Sequence, residues 1–264
     1  MKVVLFCGGQ GTRIRDYSDE IPKPLIPLGN RPILWHIMKY YAHFGHTDFI
    51  LCLGYKATAI KRYFLEYDEA ISNDFELRRG GKEVKLYGSD IDDWNVTFVD
   101  TGLDTPIGER MRRVQRYLDG DEMFLANYSD GVIDLDLKGY VDAFRAGDAV
   151  AGLVAIRPPQ SFHVLKLDGS RLAAVEPMAD SGIRLNGGFF VFRREIFDYM
   201  RAGEDLVDAP FRRLIASDRV HVHPHDGFFG PMDTFKDKMA LDALHDSGKA
   251  PWMLWDHYKL HQAA

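Results

Sequence analysis

Apolar positions over the first 150 residues follow two alternating rhythms. Short unbroken runs read as strands buried on both faces: Val3-Val4-Leu5-Phe6-Cys7, Phe49-Ile50-Leu51-Cys52-Leu53, Val96-Thr97-Phe98-Val99 and residues 123–128. Between them lie helical repeats. Ile33, Leu34, Ile37, Met38 and Tyr41 recur at helix spacing, residues 59–67 do the same, and residues 109–118 form a basic amphipathic stretch. Asn30 is placed to cap the first helix, with Pro32 in its first turn. Strands without alternation, separated by helices, predict an α/β fold: a mostly parallel sheet covered by helices, with ligands at the carboxyl ends of its strands.

After about residue 148 the pattern becomes richer in strands. Residues 150–156, 163–167, 172–175, 188–192 and 220–223 are strand-like, with helices near 194–201, 209–216 and 234–246. No internal repeat, low-complexity tract or Pro/Gly/Ser linker interrupts the chain. The 264 residues therefore read as one domain, with residues 1–148 and 149–264 supplying the two sides of a shared cleft. The polar stretch 72–93 reads as a flap or a contact with another subunit.

Composition narrows the options. With 46% apolar and 12% aromatic residues the chain fills a sizeable core, which excludes disorder. A net charge of −6 argues against nonspecific nucleic-acid binding, and no apolar run reaches the length of a membrane span. The first residues lack the hydrophobic region of a signal peptide, so a soluble cytoplasmic protein is expected. Cys7 and Cys52 both sit in apolar runs and read as core residues.

The most informative segment follows the first strand. Gly8-Gly9-Gln10-Gly11-Thr12-Arg13 can turn sharply and bring backbone N–H groups to an anion, with the Thr12 hydroxyl and the forked Arg13 cation beside them, and Lys23-Pro24 follows ten residues on. The spacing is that of neither dinucleotide-binding nor P-loop motifs: Ile14 stands where the third glycine of G-x-G-x-x-G belongs. Asp130, in Tyr128-Ser129-Asp130-Gly131, directly follows a buried strand, and Asp233, in Pro231-Met232-Asp233-Thr234, precedes a helical pattern. Each taken alone reads as a turn or cap residue.

The loop and the Lys-Pro resemble the signature of the sugar-phosphate nucleotidyltransferases. Further blocks resemble the glucose-1-phosphate cytidylyltransferase branch: Trp94-Asn95-Val96-Thr97, Val99-Asp100-Thr101-Gly102, Asn186-Gly187-Gly188-Phe189-Phe190, Pro231-Met232-Asp233-Thr234 and Lys249-Ala250-Pro251-Trp252. The resemblance runs almost end to end and implies a Rossmann-like nucleotide-diphospho-sugar transferase fold, with residues 1–148 as its nucleotide-binding half and 149–264 as its acceptor-binding half. It implies Arg13 and Lys23 as catalytic cations, and Gly8, Gly9, Gly11, Thr12, Thr105, Gly108 and Arg110 around the nucleotide. It also implies Tyr128, His163, Glu176, Asn186 and Gly187 around the acceptor, and Asp130 with Asp233 as ligands of Mg²⁺. The activity so implied joins CTP and a sugar 1-phosphate, foremost α-D-glucose 1-phosphate, into a CDP-sugar and pyrophosphate, in a homo-oligomer of up to six chains. Nucleic acid and membrane are not expected partners.

The chain departs from that pattern in places. Ser129 replaces a glycine and is expected to crowd the nucleotide slightly. Pro106, Ile107 and Glu109 replace Met, Thr and Gly of the base loop. The family's Glu-Lys-Pro reads Glu176-Pro177-Met178, so the lysine for the acceptor phosphate is missing, and Phe162-His163-Val164-Leu165 stands for Phe-Gly-Ala-Leu. Lys166, Arg184 and His163 are the candidate replacements. Two alternatives follow: a CTP-dependent enzyme acting on a different phosphorylated acceptor, and a nucleotide sensor without turnover. Finally, His221, His223 and His225 alternate and would share one face of a strand. Pro224 and the absence of a completing ligand other than Asp226 point to a solvent-facing edge rather than a metal site.

Overall fold

The computed structural model describes residues 1–9, 21–158 and 162–255. In chain order these form β1 (Val3–Phe6), a 3-10 turn (Lys23–Leu25), β2 (Pro27–Leu28), β3 (Arg31–Pro32), α1 (Ile33–His43), β4 (Asp48–Leu53), α2 (Ala57–Leu65), β5 (Phe75–Arg78), β6 (Glu83–Leu86), β7 (Asn95–Asp100), α3 (Ile107–Val114), β8 (Met123–Tyr128) and β9 (Gly131–Ile133). There follow α4 (Leu137–Ala146), β10 (Ala151–Ile156), β11 (His163–Asp168), β12 (Arg171–Pro177), β13 (Leu185–Asn186), β14 (Phe190–Arg193), α5 (Ala209–Ala216), β15 (Val220–His225), β16 (Phe229–Pro231) and α6 (Phe235–Asp246).

Eight strands make the central sheet, in the order β13-β10-β14-β8-β1-β4-β7, with β15 on the other side of β10. The four from the first half, β7, β4, β1 and β8, are parallel neighbours, as their unbroken apolar runs predict. The second half adds two antiparallel strands to this mostly parallel sheet. Strand β14 is antiparallel to both β8 and β10, and β13 is antiparallel to β10. Two reversals restore the original direction, so β10 and its parallel partner β15 run the same way as β1 and β8. Their carboxyl ends therefore share one edge of the sheet. Both faces are covered: Val3 and Leu5 enter one core with α1, Phe189 and Trp252, while Val4 and Phe6 enter another with Met111, Phe190 and Leu214.

Local chemistry shifts several element boundaries. Asn30 does not cap α1. Residues 27–28 and 31–32 pair through a tight turn with Gly29 at φ +64°, so the helix starts at Ile33, and the Asn30 amide donates instead to the Ile71 carbonyl at 3.3 Å. The stretch expected as a helix at 194–201 is a 3-10 segment, Arg194–Tyr199, and the basic helix ends at Val114 before a 3-10 turn to Leu118. Strand β15 is an edge strand, but its histidines do not face solvent. His221 and His223 lie under α4, where Tyr140 sits 6.1 Å from the first ring and 5.0 Å from the second, His225 is bonded to Asp134 at 2.8 Å, and Val222 points outward at 50% exposure. Alternation fixed the shared face; the helix packed on that face could not be read from the strand alone.

Two hairpins stand outside the main sheet. In β5–β6 the cross-strand pairs Phe75–Leu86 and Leu77–Val84 put four apolar side chains on one face, each 38–61% exposed. In β11–β12 the pair Leu165–Val175 and the pair Leu167–Leu172 do the same, at 51–63% exposure. The root of the first is pinned. Buried Arg31 donates to Ser72 Oγ at 2.9 Å and to the Asp68 carbonyl at 2.8 Å, and Asp90 accepts from Tyr67 and Ser72. No helix among the described residues is long and apolar enough to cross a membrane.

Candidate active site

A two-stranded ribbon joins the carboxylates that the chain separates by about a hundred residues. Strands β9 and β16 pair antiparallel, Gly131 opposite Pro231, and the Met232 N–H donates to the Asp130 carbonyl at 2.8 Å. Asp130 thus precedes one strand where Asp233 follows the other. Asp233 is not the cap of α6. Thr234 takes that position in a reciprocal capping box with Asp237, which leaves the Asp233 side chain to face the cleft. Between the two lies Lys23, whose Nζ is 2.7 Å from Asp130 Oδ2 and 2.7 Å from Asp233 Oδ1. Burial alone would depress the lysine pKa, but the two carboxylates outweigh it and hold the ammonium above its ordinary value.

These groups open into a cleft of about 360 Å³ at the carboxyl ends of β1 and β8, lined by Phe6, Gly8, Gly9, Lys23, Pro24, Thr105, Ile107, Arg110, Tyr128, Ser129, Asp130 and Asp233. Arg110 is 4% exposed and its terminal nitrogens donate to five oxygens: the carbonyls of Leu53, Gly102, Leu103 and Gly8 and the hydroxyl of Thr101, at 2.8–3.2 Å. It ties the glycine turn to the loop at 101–103. That explains Gly8 in different terms from phosphate approach alone, since a Cβ there would lie 2.0 Å from Arg110 Nη1. Gly9, by contrast, faces open space. Ser129 lines the cleft with its hydroxyl turned to the backbone of β1, donating to the Phe6 carbonyl at 2.8 Å. Gly108 is not among the lining residues; a Cβ on it would meet the Glu204 carbonyl at 2.5 Å, so it serves the packing of α3 against 204–206. Arg112 and Arg113 are paired with Glu109.

Of the residues expected around the acceptor, Asn186 donates its amide to the Tyr128 hydroxyl at 3.2 Å, which links β13 to the lining of the cleft. The Gly187 N–H bonds the Val154 carbonyl at 2.9 Å, and a side chain there would strike Ile156 Cγ2 at 2.7 Å. Glu176 and His163 lie on the β11–β12 hairpin, where Lys166 Nζ is bound to Glu176 at 2.6 Å and His163 is exposed. Arg13, Gly11 and Thr12 lie outside the described residues. Sequence reading missed Phe6 as a lining residue, although it is the last residue of the strand that leads into the glycine turn, while Pro24, Ile107 and Ser129 belong to segments it had singled out.

The donor set suits a divalent cation. Asp130 and Asp233 converge on one cationic atom, are each more than a third exposed to the cleft, and leave room for phosphate oxygens and water, which is how Mg²⁺ is commonly held. Among the described residues no group of three His, Cys, Asp or Glu side chains could hold a metal, so the remaining ligands would come from substrate and solvent.

A parallel core with a glycine turn and a carboxylate–ammonium–carboxylate group at its carboxyl edge is the architecture of an α/β nucleotide-handling enzyme. The chain matches the Nucleotidyl transferase family over residues 2–227. It is 38% identical over 259 residues to a glucose-1-phosphate cytidylyltransferase of Salmonella typhi, covering 97% of this chain and 100% of that protein. The enzyme of the same name from Salmonella typhimurium gives the same figures. Among solved structures, a UDP-glucose pyrophosphorylase complexed with UDP-glucose superposes with a TM-score of 0.67 at 14% identity, covering 94% of this chain and 98% of that one, a likeness of fold. The chain belongs to the sugar-phosphate nucleotidyltransferases, in their glucose-1-phosphate cytidylyltransferase branch.

Proposed function

We propose that this enzyme joins CTP and α-D-glucose 1-phosphate to give CDP-glucose and pyrophosphate, with residues 1–148 holding the nucleotide and 149–264 the acceptor. The observation that carries the mechanism is the convergence of Lys23, Asp130 and Asp233 at the mouth of the cleft. An oxygen of the acceptor phosphate forms the new bond to the α-phosphorus while the bond from that phosphorus to the bridging oxygen of pyrophosphate breaks. The nucleophile is already anionic, so no strong base is needed; the obstacle is repulsion between anions. Lys23 neutralises the reacting phosphate, and Arg13 holds the departing pyrophosphate. Asp130 and Asp233 would hold Mg²⁺, which when bound would supply charge neutralisation to the substrate phosphates. Thr105, with the loop that Arg110 braces, frames the base, and Tyr128, Asn186, Gly187, Glu176 and His163 frame the sugar. End-to-end identity with relatives named for glucose 1-phosphate supports that acceptor over a different one. Retention of Lys23 with both carboxylates supports turnover over mere sensing.

Pyrophosphate release tests the reading. CTP with glucose 1-phosphate should turn over at least about tenfold faster than UTP, because a site that bonds the exocyclic amine leaves buried groups unpaired against a carbonyl. Equal rates with both nucleotides would move the chain elsewhere in the superfamily. The reading includes a homo-oligomer, up to a hexamer, in the cytoplasm where its charged substrates are made. The two exposed apolar hairpin faces support assembly, since patches of this kind on soluble proteins mark contact surfaces. Sedimentation velocity that found only monomers at micromolar concentration would remove the oligomer.

A further inference from the structure

Arg157, Arg184 and Asp226 come from three separate segments and meet at one spot. Arg157 follows β10 and Asp226 follows β15, the parallel strand beside it, with Ile156 opposite His225 as their last pair. Arg184 precedes β13, which pairs with β10 from the other side through Ile156–Leu185. All three therefore cap the carboxyl end of β10, on the sheet edge that also carries the glycine turn and Asp130. Asp226 Oδ1 accepts from Arg157 Nε at 2.8 Å and lies 2.7 Å from Arg184 Nη1, which also donates to the His225 carbonyl at 3.1 Å. Among the described residues, both terminal nitrogens of Arg157, and Nη2 and Nε of Arg184, have no protein partner.

Two guanidinium groups fixed by one carboxylate carry a net positive charge and present open donor edges. This is suited to a planar or tetrahedral dianion, which arginine engages through paired N–H bonds. A solvated surface ion pair would need no particular place. This one has a place: Arg184 directly precedes β13, two residues before Asn186, which bonds the Tyr128 hydroxyl at the lining of the cleft. Of the other two candidates, Lys166 is bound to Glu176 and His163 is exposed at the start of β11.

We infer that Arg157 and Arg184, braced by Asp226, form the anion fork that receives the phosphate of the acceptor. This rests on the reading of the acceptor as a sugar 1-phosphate. Steady-state kinetics at saturating CTP decides it, using Arg157→Gln, Arg184→Gln and the double variant. The KM for glucose 1-phosphate should rise about tenfold in each single variant and further in the double one, while the KM for CTP and the melting temperature stay put. Arg184→Lys should restore part of the loss. An acceptor KM within twofold of wild type in the double variant overturns the fork and leaves the enzyme's activity standing. If the wild type itself makes no CDP-glucose, the activity falls, and the fork is judged by calorimetric titration with inorganic phosphate. Binding that the double variant loses keeps it; no binding, or equal binding by both, removes it.

Discussion

Replacing Asp130 by Asn is expected to lower turnover by a factor on the order of 10³ while leaving the fold intact. The amide keeps the shape of the carboxylate but offers one neutral acceptor where two anionic oxygens stood, so the divalent ion loses a charged ligand at the point where charge builds up. Stability should change by less than about 1 kcal/mol, because the Lys23–Asp130 pair is partly open to solvent, Asp130 being 37% exposed, and such pairs are worth little. The Met232–Asp130 backbone bond that closes the ribbon does not involve the side chain. The measurement is kcat with CTP and glucose 1-phosphate over a magnesium titration, beside a thermal melt. Activity within a few-fold of wild type would take Asp130 out of the catalytic set.

Lys23→Ala should cost about 10²–10³ in kcat, more than it weakens CTP binding, the pattern of a contact strongest in the transition state. The geometry adds a second, opposite expectation. In the free protein the ammonium sits 2.7 Å from an oxygen of each carboxylate, where it would compete with a metal held by both. Its removal should therefore lower the magnesium concentration needed for half-maximal activity even as the maximum falls. If calorimetry showed CTP affinity lost in proportion to turnover, Lys23 would be a general binding residue. If the magnesium requirement rose, the two aspartates would not be the metal's ligands.

The parallel half of the sheet was legible because its strands are buried on both faces and so carry unbroken apolar runs. The antiparallel β14 was legible as a strand but not in its direction, because Phe190–Arg193 reads the same either way. Asp130 and Asp233 each look like turn residues alone; only the resemblance paired them, and the ribbon that does so physically is three residues per strand. Arg110 was noted for the right loop, yet its commitment to five backbone and hydroxyl oxygens depends on loops at 8, 53 and 101–103 converging, which no local pattern encodes. Asn30 was misread because a two-residue strand pair intervened before the helix. Arg157 drew no notice, since its partner lies 69 residues away at the end of another strand.

Among the described residues, the two halves of the chain are joined inside the main sheet by one strand, and outside it by the β9–β16 ribbon. Among the described strands of the main sheet, β14 alone bridges β8, which leads to Asp130, and β10, which leads to Arg157. Phe190, Val191 and Phe192 are fully buried, Val191 in one core and the two phenylalanines in the other, and so tolerate little change, whereas the β11–β12 hairpin beyond the strand carries its apolar side chains exposed. A change inside β14 is therefore expected to be felt at Asp130 and at Arg157 together, whereas a change on the outer face of either hairpin stays local.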